Sequence, residues 1–238
     1  KKTNQKKVEI KMQNIDLFKN KRIFNSDNVE YYNETSTNVR LGLNDKSSIL
    51  VTTCGKNEGE IPVIINLAYY LTKLEKRVLI IDADFRRSLL YKIVKPSEEN
   101  IGLANYLTGN VNMESILYNT GIKGFNILFS GIKTKNIIEL LKIGRFEELI
   151  NLFKKYYDYI FILSPPISDS IDSIVISEYC DSSMIVVKSN SIKRKVLIDS
   201  VNRLKKVNNN FLGIILNDVD MSIMNYGSYG HYVNFGKQ

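Results

Sequence analysis

From residue 48 onward, short apolar runs alternate with longer stretches of helical spacing. SILVTT (48–53), RVLIID (77–82), FNILFSG (125–131), YIFILS (159–164), SSMIVVK (182–188) and FLGIILND (211–218) are strand-length, apolar and partly β-branched. Between them, IPVIINLAYYLTKLE (61–75) reads as a helix with Pro62 near its start. Short helical pieces follow at 102–109 and 112–117. Residues 137–157 keep helical spacing with a break around Gly144, 172–179 are helical, and 193–207 form an amphipathic helix. The strand runs lack the in–out alternation of a half-exposed sheet. The pattern therefore predicts an α/β fold, a mostly parallel sheet with helices on both faces.

Texture changes at both ends. Residues 1–28 are polar and rich in Lys and Asn, and are expected to precede a domain spanning 29–222. The end, 223–238, places Tyr226, Tyr229 and Tyr232 three apart with interleaved glycines. Too few apolar residues remain there to pack, so a disordered tyrosine-rich tail is expected.

Composition narrows the function classes. The chain has 238 residues, 33 Lys+Arg and 25 Asp+Glu, so the formal charge is 33 − 25 = +8. Hydrophobic residues at 44% and charged residues at 24% exclude wholesale disorder, collagen-like sequence and a coiled coil. No run approaches the roughly 18–20 apolar residues that span a bilayer, and the start shows no signal-peptide pattern. The two cysteines, Cys54 and Cys180, exclude a disulfide scaffold and fit a reducing cytoplasm. With His231 as the single histidine and no Cys-x-x-Cys, a zinc site and a His-based triad are excluded. The positive charge is a solubilising surface or a means of contact with an anionic leaflet, a nucleotide or an acidic partner.

Ligands of such sheets bind at the carboxyl ends of strands, and three ends carry candidate chemistry. TTCGKNEGEIP (52–62) joins a strand to a helix, where a phosphate-binding loop would lie. IIDADFRR (80–87) places Asp82 and Asp84 just past a buried strand, followed by Arg86. Both carboxylates then point to the strand end, where a hydrated Mg²⁺ could be held; the alternative is an ordinary strand-end loop. FILSPP (161–166) stops abruptly at Pro165–Pro166.

In order and spacing, the loop at 48–68, LIIDADFR (79–86), GLANYLTG (102–109), LFSG (128–131), YDYIFILSPP (157–166), the helix of Asp172 and LGIILNDVD (212–220) resemble the bacterial tyrosine kinases of capsule and exopolysaccharide clusters, the CpsD/CapB type. VEYYNETSTNVRL (29–41) resembles the helix that opens their kinase domain, and YGSYGHY resembles their tyrosine cluster. The resemblance implies a P-loop fold related to the MinD/ParA ATPases, with ATP and Mg²⁺ as cofactors. It implies nucleotide-site roles for Gly55, Asn57, Gly59, Glu60, Ile61, Arg86 and Asn217. It assigns catalytic or Mg²⁺-holding roles to Asp82 and Asp84, and makes Tyr226, Tyr229 and Tyr232 phosphoacceptors. It also implies a membrane-spanning chain-length regulator as adaptor, placing the chain in the cytoplasm at the inner face of the membrane. No nucleic-acid partner is expected.

The departures from that pattern carry as much information. Where the family has Gly-Glu-Gly-Lys-Ser/Thr-Thr, this chain has Asn57-Glu58-Gly59-Glu60-Ile61-Pro62. The phosphate-neutralising Lys is thus Glu60, the Mg²⁺-holding hydroxyl is Ile61, and Pro62 removes a backbone donor. The Walker B carboxylate is Leu163. Two charges about 4 Å apart interact by roughly 4 kcal/mol at an effective dielectric of about 20. Exchanging Lys for Glu would swing the balance by up to about 8 kcal/mol, comparable to a micromolar affinity. The expectation is therefore a pseudokinase-like regulatory or scaffold subunit, with an intact kinase of the family phosphorylating its tail. An active tyrosine autokinase and a MinD/ParA-like positioning ATPase are the alternatives. The ring-forming Glu-x-x-Arg-x-x-Arg is also missing, with Glu30, Asn33 and Ser36 in its place. A homo-oligomer stays open, and an octameric ring has no support.

Overall fold

The computed structural model describes residues 13–17, 23–24, 28–44, 46–96, 100–134 and 136–220. Eight strands form one sheet. In chain order they are β1 (Gln13–Asn14), β2 (Ser48–Thr53), β3 (Val78–Asp82), β4 (Tyr118–Asn119), β5 (Phe125–Leu128), β6 (Tyr159–Leu163), β7 (Ser182–Lys188) and β8 (Phe211–Asn217). Their spatial order is β1-β4-β5-β3-β6-β2-β7-β8, and every pairing is parallel except β4 with β5. The central strands β2, β3 and β6 are buried at every position, as their unbroken apolar runs require.

The helices are α1 (Val29–Leu43), α2 (Glu60–Lys73), α3 (Leu89–Val94), α4 (Leu103–Leu107), α5 (Ile137–Lys142), α6 (Arg145–Phe153), α7 (Asp172–Ser177) and α8 (Arg194–Val207). Two apolar cores flank the sheet. Helices α1 to α3 contribute to one, through residues such as Val39, Leu67 and Leu90. Helices α4 to α8 contribute to the other, through Leu103, Leu141, Phe146, Ile176 and Leu204. Helix α6 shows why the sequence folds this way. Its buried residues, Phe146, Leu149, Ile150 and Phe153, repeat at three and four and so form one stripe. Full burial of such a side chain contributes about 1.5–3 kcal/mol. The break before α6 is Gly144 at φ 85, a left-handed turn that L residues with a Cβ resist.

The expected fold class is present, with three elements that the pattern of runs did not reveal: β1, α3 and β4. Residues 112–117 contain only a single 3₁₀ turn, Met113–Ser115, before the chain enters β4. In the polar segment before residue 29, Ile15, Leu17 and Ile23 are buried in the core under α1 to α3, and β1 pairs with β4. The expected disordered tail lies outside the described residues.

At the amino ends of the strands, Asp181 fastens β2 to the turn before β7. Its carboxylate accepts the N–H groups of Ser47 and Ser48 at 3.2 and 3.0 Å and the Lys154 ammonium at 2.7 Å. Burial alone would raise its pKa, yet these donors hold the carboxyl below the usual range. Anchoring this end fixes the strand register that brings the opposite ends together.

Candidate nucleotide site

Strand β6 pairs with both β2 and β3, so the carboxyl ends of these three strands lie side by side. The register sets Leu163 opposite Asp82 on one flank and opposite Val51 on the other. The loop after β2 then turns into α2 directly above this point. The three strand ends singled out in the sequence therefore converge.

The loop is tied down by its own chain. Gly59 precedes α2 at φ 78, and a Cβ there would collide with the Asn217 side-chain amide. Asn57 is also left-handed, at φ 62, which an Asn tolerates. Asn217 donates from Nδ2 to the Glu58 carbonyl at 3.0 Å. The buried Glu58 carboxylate accepts the Lys188 N–H at 2.6 Å and the Ser191 hydroxyl at 2.7 Å. Thr53 donates its hydroxyl to the Gly55 carbonyl at 2.7 Å. The loop is thus held by the ends of β7 and β8. Lys56, at the loop's outer side, pairs with Asp169 at 3.5 Å.

Glu60 opens α2 and is 8% exposed. A carboxylate in the first turn suits the helix dipole, but burial raises its pKa, and Asp84 and Glu58 add to the rise. Its backbone N–H bonding and the Arg87 guanidinium, 3.9 Å away, work in the other direction. Ile61 at 5% and Leu163 at 4% exposure belong to one apolar cluster with Val51, Ile64 and Val63. Pro62 sits in the first turn of α2, where a missing N–H leaves no helix bond unmade.

The β3 end is a set of closed ionic contacts. Asp84 Oδ1 accepts the N–H groups of Arg86 and Arg87 at 3.2 and 3.1 Å, and Oδ2 pairs with Arg87 Nε at 2.5 Å. Arg86 turns away and grips Asp172 with two bonds, 2.8 and 3.3 Å long. Asp172 is fully buried at the start of α7. Asp82 is the most isolated of the carboxyls. Its Oδ1 accepts the Asp84 N–H at 2.9 Å, and its Oδ2 is buried with no partner. Burial, reinforced by the Asp84 charge, pushes its pKa up to about 8. At neutral pH the Asp82 carboxyl therefore largely keeps its proton.

The structure brings Gly55, Asn57, Gly59, Glu60, Ile61, Asp82, Asp84, Asn217 and Leu163 to one end of the sheet. Asp84 is paired to Arg87, and Arg86 serves the joint between the β3 end and α7. Among the described residues, no group of three or more His, Cys, Asp or Glu is arranged to hold a metal ion. Tyr226, Tyr229 and Tyr232 lie outside the described residues. Sequence reasoning gave no role to Glu58, Arg87 or the Asp172 carboxylate. The Arg86–Arg87 pair after Asp84 was a usable signal for Arg87. Nothing local could have pointed from Arg86 to a carboxylate 86 positions away.

A family profile described as an AAA domain matches residues 58–215. The tyrosine-protein kinase CpsD of Streptococcus pneumoniae serotype 4 is 32% identical over 227 residues, covering 95% of this chain and all of the relative. Among solved structures, the kinase domain of the Escherichia coli tyrosine kinase ETK superposes with a TM-score of 0.77 at 26% identity, covering 92% of this chain and 86% of that one. The septum site-determining protein MinD from Pyrococcus horikoshii, solved with Mg-ADP, gives 0.59 at 22% identity over 71% of this chain and 69% of that one, a likeness of fold. Among the described residues no helix is long and apolar enough to cross a membrane.

Proposed function

The chain belongs to the bacterial tyrosine kinase family, and from that footing we propose that it is a pseudokinase-like member, a regulatory or scaffold subunit of exopolysaccharide or capsule assembly. The observation that carries this reading is the joint burial of Ile61 and Leu163 in one apolar cluster, where the family pattern calls for a hydroxyl and a carboxylate. Phosphoryl transfer rests on positioning and on neutralising the phosphates. Residues Glu60, Ile61 and Leu163 supply neither, and they do not fit a magnesium nucleotide. Neighbouring cations are committed elsewhere: Arg87 to Asp84 and Glu60, Arg86 to Asp172, Lys56 to Asp169. The loop itself is held without a ligand, by Asn217 above it and by the Glu58 carboxylate below.

In this reading Tyr226, Tyr229 and Tyr232 are acceptors for an intact kinase of the family. The membrane-spanning adaptor of such kinases would be the assembly partner and would hold the chain at the cytoplasmic face of the membrane. The active autokinase reading has the retained Asp82 and Asp84 in its favour, but one is largely protonated and the other is paired to Arg87.

The test has two arms. Titration calorimetry with MgATP should give no dissociation constant in the low micromolar range. Incubation with ATP alone should leave the tail free of phosphotyrosine, while an added intact kinase should phosphorylate it. Tight MgATP binding, or self-phosphorylation, would sink the proposal.

A further inference from the structure

Residues 193–207 form a dense cluster of positive charge on one helix and its lead-in. Lys193, Arg194, Lys195, Arg203, Lys205 and Lys206 are all exposed, against a single carboxylate, Asp199. This segment therefore nets 6 − 1 = +5. Helix α8 turns Ser200 and Leu204 into the core. Its outer face spans 14 residues, about 21 Å of helix. Val196 and Val207 on one flank of that face and Ile198 on the other are 39%, 40% and 46% exposed. Several carboxylates on neighbouring elements are already neutralised, Asp172 by Arg86, Asp169 by Lys56 and Asp181 by Lys154. A shallow depression on the helix is lined by Asn202, Arg203, Lys205 and Lys206 together with Asp199.

We propose that the outer face of α8 docks directly on an anionic phospholipid leaflet. The charge complementarity selects an anionic occupant. Its distribution selects a surface, because the cations stand in two groups, Lys193 to Lys195 and Arg203 to Lys206, about 12 Å apart along the helix, and are not gathered in a cleft that would grip one acidic peptide. Basic residues near such a leaflet feel its negative potential within a Debye length. The exposed aliphatic side chains flanking them can enter the headgroup boundary to a shallow depth. Arg203, Lys205 and Lys206 around the depression would meet a headgroup phosphate. This docking face lies on the side of the sheet covered by α4 to α8.

Co-sedimentation of the full chain with vesicles tests it, comparing phosphatidylglycerol–phosphatidylcholine mixtures with pure phosphatidylcholine at about 0.1 M salt. The protein should partition to the anionic vesicles alone, and less so as salt rises. The double variant Lys195→Gln, Lys206→Gln should bind roughly 25-fold more weakly, about fivefold per charge removed. Both side chains are exposed, and an unchanged thermal melt will show that folding is intact. The control pair Lys46→Gln, Lys73→Gln lies on α2 and just after α1, against the opposite face of the sheet, and should bind like the wild type. No binding, equal binding to both vesicle types, or an equal loss in the control pair would each overturn the proposal. The last outcome would place the attraction in net charge alone.

Discussion

The ends of β3 and β6 are neighbours in the sheet, with Asp82 opposite Leu163, yet they are built in opposite ways. At β3 the strand end is charged, and most of its charged residues have partners inside the chain. Asp84 binds Arg87, and Arg86 binds the buried Asp172. At β6 and the adjoining start of α2 the side chains are apolar, and Ile61 and Leu163 close into the core. The contrast shows what a buried strand end can tolerate. A carboxylate there must be paired or protonated, since an isolated buried charge costs several kcal/mol; an apolar side chain needs no such support. One half of this region is thus an ion network, and the other half is core.

The strongest way to break this contrast is to place a charge on the apolar side. Leu163→Asp puts a carboxylate beside the largely protonated Asp82, with the nearby Arg87 already paired to Asp84, and should cost about 4 kcal/mol. Urea denaturation at pH 7 measures it, and a loss under 1 kcal/mol would mean that the β6 end is less closed than its packing implies. Next comes removal of the cation on the ionic side. Arg87→Met keeps the stem but leaves Asp84 and Glu60 facing each other, and should cost about 3 kcal/mol in the same assay. Part of this cost should be recovered in the double variant Arg87→Met, Glu60→Gln, because a neutral amide removes one of the two charges.

The smallest effect concerns Asp82 and depends on pH. Its folded pKa of about 8 lies above the unfolded value of 3.8. The folded state therefore keeps a proton that the unfolded chain releases between those values. Stability should fall as pH rises through that window, with the loss complete above about pH 8. Between pH 6 and pH 8 the loss is on the order of 2 kcal/mol, at about 1.4 kcal/mol per pH unit while one proton separates the two states. Asp82→Asn retains an oxygen for the Asp84 N–H and should flatten the decline, gaining stability at pH 8 and little at pH 5. Matching slopes for wild type and variant would show that Asp82 is not the titrating group.

Much of the fold was legible because its signals are local. Uncharged β-branched runs such as 48–53 and 159–164 can be satisfied only by strands buried on both faces, and the three- and four-residue spacing of Phe146, Leu149, Ile150 and Phe153 only by a helix. The residue types at 60, 61 and 163 were likewise legible, since each stands at a strand end or helix start that the pattern of runs locates. The short pieces were not. Strands β1 and β4 have two residues each and no period of their own, and exist because they pair with each other and with β5.

The sequence by itself determined which chemical groups stand at each strand end, because residue type and spacing are properties of the chain alone. Only the tertiary structure decided what those groups do to one another. Arg86 finds Asp172 across 86 positions and Asn217 finds Glu58 across 159. Those meetings depend on which strand ends the parallel crossovers set side by side. The protonation of Asp82 was decided in the same way. A carboxyl's pKa follows the depth of its burial and the charges around it, and neither exists until β6 has closed against β3.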